Sequence, residues 1–467
     1  MDTISDLYES RADLPKYRAV AQAVETAVRQ GRMTPGDRLP PVRDLAWRLG
    51  ITPGTVARAY TILTDQGLAV AEVGRGTFIA DPAIKPRALL PDPPWSVEAT
   101  ETEMRISLAA PKLPDCGQVQ LVRDAFARLA EHPAQRLLNY PSRSAFRPAR
   151  EAALTWLSDT PMGAVEQEDL ILSHGGQNGI GLVMQAVLRG PRPVVLVEDL
   201  SYPGFRRAAD LLRAVVVPVP MDEHGLIPEA LDAIAARHDA QLLCTSPEVH
   251  NPTSIVTPAY RREAIAEVAR RRGFHVLEDD CYRIGARVGI GYRALLPEQG
   301  WLVASFSKAI TPALRIGFVV APQGARADLR RVAEHGFFGL AQPLADLAAD
   351  VLSRPDLPRV LAAVREEYTR YVRVAVNQLG GHDLRWREDV PFLWLTLPAG
   401  WRAAQFVRAA EAAGVQLRAA DDFAPRDGNA PHAVRIAVNA QVPLAAFEDA
   451  VGRIRALLEN PPEGIAV

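Results

Sequence analysis

"SFSKAITPALRIG", residues 305–317, sets two serines, Ser305 and Ser307, just ahead of Lys308 and places Arg315 seven residues beyond that lysine. The stretch joins the last two of six short apolar runs, PVVLVED, AVVVPVP, QLLCTSP, FHVLEDD, WLVASFS and RIGFVVAP, which alternate with helical patterns such as residues 258–272. Runs so short and so continuously apolar predict strands buried on both faces, and their alternation with helices predicts an α/β domain around a large, mainly parallel sheet. From about residue 343 to 467, a long helix, the runs FLWLTL and AVRIAVNA and two further helices predict a smaller α/β lobe.

Sheets of this type collect ligands beyond the carboxyl ends of their strands. There the chain places polar residues one strand after another. SHGGQNGI (173–180) sets Gly175 and Gly176 at a predicted helix start, where free N–H groups can hold a phosphate. EDLSYPG offers Tyr202, HNPTS offers Asn251, and LEDDCYRIG offers Asp279 and Tyr282, ahead of Ser305, Ser307, Lys308 and Arg315. Glu278 and Asp280 beside Asp279 read as solvent-facing or structural. A lone Ser-Lys pair or a lone HNP segment is ordinarily a surface or turn feature. Here the whole series can serve one ligand.

The chain has 467 residues, 48% of them hydrophobic, and balances 53 basic against 55 acidic side chains. That length predicts two or three domains. Its acidic, polar start, MDTISDLYESRADL, and the lack of eighteen consecutive apolar residues point to a soluble, cytoplasmic protein with no membrane partner. Cys116, Cys244 and Cys281 are odd in number and scattered, so neither a disulfide framework nor a metal site is expected.

Residues 1–80 carry a separate pattern. Val20, Val24, Ala27 and Val28 fall at helical spacing, a turn and a second short helix follow, and Val56, Ala59, Tyr60 and Leu63 line one face of a third helix with Thr52 as its N-cap candidate. AVAEVGRGTFIA predicts two short strands around Gly74-Arg75-Gly76. Three helices and a hairpin make a winged helix-turn-helix. Residues 14–80 hold nine basic and five acidic side chains, a local balance of 9 − 5 = +4, the sign that phosphate contact requires. Residues 81–103 hold five prolines without helical or strand period and read as an extended tether or as an arm lying on the next domain.

GDRLPPVRDLAWRLGITPGTVARAYTILTDQGLAVAEVGRGTFIA closely resembles the DNA-reading domain of the GntR regulators. The resemblance implies contact with double-stranded operator DNA through Arg38, Arg43, Thr52, Thr55, Arg58 and Arg75, with Arg38 and Arg43 on phosphates, the two threonines at the start of the recognition helix and Arg75 at the wing tip. Many relatives have Arg-Asn where this chain has Pro53-Gly54.

The series around Lys308 closely resembles the fold-type I aminotransferases, which bind pyridoxal 5′-phosphate. That resemblance implies that Lys308 forms a Schiff base with the cofactor, Asp279 pairs with its ring nitrogen, Tyr202 stacks on its ring, and Asn251 and Tyr282 bond its phenolic oxygen. Gly176, Gln177, Ser305, Ser307 and Arg315 would grip the phosphate, with Tyr140 of the partner subunit added, and Arg435 would receive a carboxylate. Glycine is usual where Ser254 and Ala145 stand. A winged helix (1–80), a linker (81–103) and an aminotransferase-like domain (104–467) in that order resemble the MocR branch of the GntR regulators. The implied protein is a homodimeric, PLP-dependent transcriptional regulator that senses a small amine or amino-acid effector through the Lys308 aldimine. The alternative is an active aminotransferase with an appended DNA-binding domain.

Overall fold

The structure, a computed structural model, describes residues 3–9, 15–65, 68–72, 76–80, 105–132, 138–425 and 430–461. The proline-rich segment 81–103 and the wing-tip Arg75 lie outside these residues. The chain divides into two compact units, Met1–Ala99 and Thr100–Val467.

In the first unit, α1 (Thr3–Glu9), α2 (Lys16–Arg29), α3 (Val42–Arg48) and α4 (Pro53–Asp65) accompany a hairpin of β1 (Ala69–Glu72) and β2 (Gly76–Ile79). The apolar stripes meet as their spacing predicts: Val20 and Val24 of α2, Leu45 of α3, and Val56, Ala59 and Leu63 of α4 are wholly buried in one cluster. Tyr60 joins them and donates its hydroxyl to the Pro40 carbonyl at 2.7 Å, so its polar end is satisfied. The helix α1 was not foreseen in the sequence. It is seven residues long and attaches through buried Ile4.

The second unit is built on a seven-stranded sheet. Its strands are β4 (Leu170–Ser173), β5 (Val194–Glu198), β6 (Val215–Val219), β7 (Leu242–Thr245), β8 (His275–Asp279), β9 (Gly300–Ser305) and β10 (Gly317–Val320). Their order is β4-β10-β9-β8-β7-β5-β6, and β10 alone runs antiparallel to its neighbours. Val195, Val197, Cys244, Leu277 and Val303 face one layer of helices, while Leu196, Leu243 and Val276 face another. Burial on both faces is why these strands read as unbroken apolar runs.

A second sheet, of β11 (Leu384–Arg385), β12 (Phe392–Thr396), β14 (Arg418–Ala419) and β15 (Ala433–Ala437), is antiparallel in the order β11-β12-β15-β14. The small lobe does not begin at the expected residue 343. The helix Gln342–Leu352 buries Ala345, Ala348 and Val351 against Ala149 and Ala153 of the large lobe, and the small-lobe core takes over only at Val364 within Leu357–Leu379. The missing part comes from far upstream. β3 (Ile106–Ser107) pairs in parallel with β13 (Val415–Gln416), and Leu108 and Leu113 enter the small-lobe core.

Leu45 is fully buried in the winged-helix core. Leu45→Ala is expected to destabilise that unit by about 2–5 kcal/mol. Thermal unfolding of the full chain, followed by far-ultraviolet circular dichroism, should show a first transition at lower temperature while the transition of the second unit is unchanged.

Candidate cofactor site and DNA interface

The carboxyl ends of the large sheet bring the predicted residues together. After β4 the backbone turns through Gly175, at φ +81°, into the helix α5 (Gly176–Val187). A Cβ at Gly175 would stand 3.0 Å from Nη2 of Arg315, so the guanidinium lies against the helix start. A Cβ at Gly176 would stand 2.4 Å from Sγ of Cys281, so a larger residue there would force that side chain to move. Arg315 adopts φ +52° and is exposed, and Ser254, where glycine was the expected residue, adopts φ +62°. Two left-handed non-glycine residues at one sheet edge are local strain, which folds tend to store at binding sites.

Ser305 and Ser307 are both buried, and the Ser307 backbone N–H donates to Ser305 Oγ at 3.1 Å. Ser307 Oγ itself has no hydrogen-bond partner. Lys308 is half-buried, and its Nζ lies 5.2 Å from the centroid of the Tyr282 ring. That ring stands edge-on to Phe392 at 5.3 Å. Burial raises the Tyr282 phenol, but the charges of Lys308, Arg435 and Arg418 outweigh it and leave the pKa below its ordinary value.

Asp279 ends β8 and is 6% exposed. Burial pushes its carboxyl up, against the N–H of Cys281, which donates to Oδ1 at 3.1 Å. A carboxylate so placed is suited to a cationic partner such as a protonated ring nitrogen. Tyr202 precedes the helix α6 (Pro203–Leu211), its hydroxyl pKa raised by burial, and its ring meets Phe205 edge-on at 5.8 Å. Gln177 donates Nε2 to the Gly204 carbonyl at 3.0 Å and so ties α5 to α6.

Asn251 and Arg435 form one unit. Arg435 donates Nη1 to Asn251 Oδ1 at 2.6 Å and Nη2 to the Ala109 carbonyl at 2.7 Å, with its guanidinium over Phe392 and Phe423. Arg435 is 3% exposed, and Asn251 Nδ2 and Arg435 Nε are buried without a partner. Ser307 Oγ, next to Lys308 in sequence, and the linked Asn251 Nδ2 and Arg435 Nε are thus unpartnered, where a buried polar group ordinarily has a partner. The donors fit pyridoxal 5′-phosphate: hydroxyls and a helix N-terminus for the phosphate, an amide for the phenolic oxygen, and an acid for the ring nitrogen. Tyr140 stands apart from them. It is 89% exposed, with its ring 6.2 Å from that of Phe338.

Sequence reasoning missed the supports behind these residues. Glu278 and Asp280 are buried, and Arg287 bonds both while Arg283 bonds Asp280 at 2.8 Å; they serve structure and face no solvent. Glu198, which ends β5, accepts from the Thr245 hydroxyl and lies 3.7 Å from His250. Burial raises Glu198 to about 8 and lowers His250 to about 4, so both are neutral near pH 7. His250 donates Nε2–H to the Leu200 carbonyl at 2.9 Å and accepts from Thr253 at Nδ1, holding the segment that carries Asn251. Among the described residues no group of three or more His, Cys, Asp or Glu could hold a metal ion, and the three cysteines are free.

On the first unit, Arg38, Arg43 and Arg58 are exposed, and the hydroxyls of Thr52 and Thr55 lie 2.9 Å apart at the start of α4. Arg38 lies over Gly76 of β2. Arg58 stacks on the ring of Tyr17 at 4.1 Å, a partner the sequence reading did not find. No helix among the described residues is long and apolar enough to cross a membrane.

The chain matches the family model "Aminotransferase class I and II" over residues 105–454 and "Bacterial regulatory proteins, gntR family" over 16–79. It is similar to the uncharacterized HTH-type transcriptional regulator YdeF of Bacillus subtilis, 25% identical across 96% of both chains. It is also similar to the HTH-type pyridoxine biosynthesis transcriptional regulator PdxR of Corynebacterium glutamicum, 30% identical across 65% of both. Among solved structures, the kynurenine aminotransferase of Pyrococcus horikoshii shares the fold, with a TM-score of 0.68 at 22% identity over 77% of this chain and 92% of that one.

Glu198 yields a pH prediction. Its folded pKa of about 8 exceeds the ordinary 4.5, so between those values the folded chain holds a proton the unfolded chain has lost, and stability falls as pH rises through that window. Glu198→Gln copies the protonated acid. Its stability should match the parent below about pH 4 and exceed it increasingly from pH 5 to 8, the gap growing by up to about 1.4 kcal/mol per pH unit. Denaturant unfolding of the two proteins across pH 4–9 checks it.

Proposed function

The chain belongs to the aminotransferase class I and II family, joined to a gntR-family DNA-binding domain in the MocR arrangement, and on that footing we propose that it is a transcriptional regulator that uses bound pyridoxal 5′-phosphate to sense an amine or amino acid. The observation that carries the reading is that Lys308, over the Tyr282 ring, shares the sheet's carboxyl edge with the unpartnered, buried Ser307 Oγ and Asn251 Nδ2, in a chain whose first unit matches the gntR family. When bound, the cofactor supplies an electrophilic carbon that primary amines can attack. Lys308 tethers it, Asp279 faces its ring nitrogen, Tyr202 covers its ring, and Asn251 and Tyr282 hold its phenolic oxygen. Gly176, Gln177, Ser305, Ser307 and Arg315 cradle the phosphate.

The working form is a homodimer in which Tyr140 of the partner subunit completes the phosphate cradle. The exposure of Tyr140 supports this, as does the cavity of about 460 Å³ that it lines with Phe146, Phe338 and Leu340, an apolar surface suited to a second copy. Arg435 would hold the effector's carboxylate, and Lys308 would be the amine with which the effector's amine competes. Occupancy would alter the contacts of the lysine and fill the pocket beside Asn251, giving the ligand the differential interactions a switch needs.

Purified protein should show a visible cofactor band that Lys308→Ala abolishes, with DNA affinity changed by about twofold at most. Absorbance and fluorescence anisotropy check the two halves. Persistence of the same band in Lys308→Ala overturns the assignment, and steady turnover of amino and keto acid pairs by the parent favours a working aminotransferase instead. Arg43→Ala should weaken binding to all DNA sequences alike and shrink the slope of log affinity against log salt by about 0.9.

A further inference from the structure

Arg418 is absorbed neither by the cofactor cradle nor by the core. In the small sheet, Leu393 and Leu395 of β12, Val434 and Ile436 of β15, and Leu417 and Ala419 around β14 all pack on the helix side. Side chains alternate along a strand, so Trp394, Arg435 and Arg418 emerge on the opposite face. The register aligns them in a row: Trp394 opposite Arg435, and Arg435 opposite Arg418. Trp394 packs there with Phe423 and with Leu200, the latter just beyond the carboxyl end of β5. The row therefore faces the same edge of the large sheet that carries Lys308.

Like charges directly opposite on antiparallel strands destabilise a sheet, because their Cβ atoms stand about 5 Å apart. Asp422 offsets the repulsion only in part. Arg435 bonds the Asn251 amide oxygen, the Ala109 carbonyl and the Tyr282 side chain and feels the charge of Asp422, but forms no ion pair with a carboxylate among the described residues. Arg418 has Asp422, at 3.8 Å and with its own side chain 46% exposed. The Arg418 side chain is 26% exposed, so one guanidinium is enclosed and its neighbour reaches the opening. The charge of Arg418 extends to the Tyr282 ring and to Arg435, placing it within the field of the cofactor site.

We propose that Arg418 and Arg435 form a paired anion site that selects an effector amine carrying two acidic groups, one for each guanidinium. The inference rests on the sensing role of Lys308 and Arg435 and adds the class of effector. A carboxylate next to the amine goes to Arg435, and a second acidic group, a few bonds away, goes to Arg418 at the mouth.

The test compares L-glutamate with L-norvaline, and L-2-aminoadipate with L-norleucine; each pair differs by a methyl in place of the distal carboxylate. Affinities for the cofactor-loaded full chain are read from the shift of its visible band and, independently, by calorimetry. The parent should prefer the diacid of at least one pair by about tenfold or more. Arg418→Gln should remove that preference and leave the affinity for the monoacid within about twofold, while Arg418→Lys restores part of it. An unchanged cofactor band in Arg418→Gln confirms an intact site. Loss of affinity for monoacid and diacid alike overturns the proposal, because the two arginines would then share one carboxylate. A preference that survives Arg418→Gln also overturns it. If no amine binds the parent or shifts its band, the sensing role itself fails and this inference with it.

Discussion

Several strands of the large sheet end in polar side chains that the fold removes from water, among them Ser173, Glu198, Thr245, Asp279 and Ser305. How each is satisfied organises the domain, since a buried polar group without a partner costs a few kcal/mol. Some share a buried cation: Arg287 bonds both Glu278 and Asp280 behind the sheet edge, leaving only Asp280 Oδ1 of the pair without a partner. Some surrender their charge, as Glu198 does beside a neutral His250. A third group is left open, and Ser307 Oγ and Asn251 Nδ2 point to what the edge was built to hold. Structural support and ligand capture are two answers to one constraint.

Much of this was legible in the chain because the physics is local or repetitive. Strands buried on both faces had to read as apolar runs, and the winged helix declared itself through the stripes that place Val24, Val56 and Leu63 in one core. The polar series from Gly175 to Arg315 could be placed because each member follows a strand. The lobe boundary could not be placed this way. It depends on the pairing of β3 with β13 across most of the domain, and neither partner shows a pattern of its own at two residues long. Glu278 and Asp280 read as either solvent-facing or structural, and only the fold, which closes Arg283 and Arg287 over them, selects the structural role. Arg418 carries meaning only once the register sets it opposite Arg435, and the support of Arg58 by Tyr17 is visible only once the helices are folded together.

Ser254 shows where a family pattern and local conformation part. Glycine is the usual residue there, and the structure keeps the left-handed backbone that glycine suits, at φ +62°. The serine is held by its own hydroxyl, which donates to the Phe392 carbonyl at 3.2 Å and so links the segment bearing Asn251 to the small lobe. Phe392 also packs on Tyr282 and on Arg435. Phe392 of the small lobe thus ties the segment bearing Asn251 to the side chains of Tyr282 and Arg435.

A chain that couples an amine site to a DNA site must do so reciprocally, by thermodynamic necessity. The most direct measurement takes a DNA fragment selected for tight binding from a random-sequence pool and an amine that shifts the cofactor band. The affinity of each is determined with and without saturating amounts of the other. The account predicts the same factor in both directions, about 5–150-fold, in the parent. It predicts a factor of one in Lys308→Ala. Independent binding in the parent, or equal coupling in the variant lacking Lys308, would contradict it.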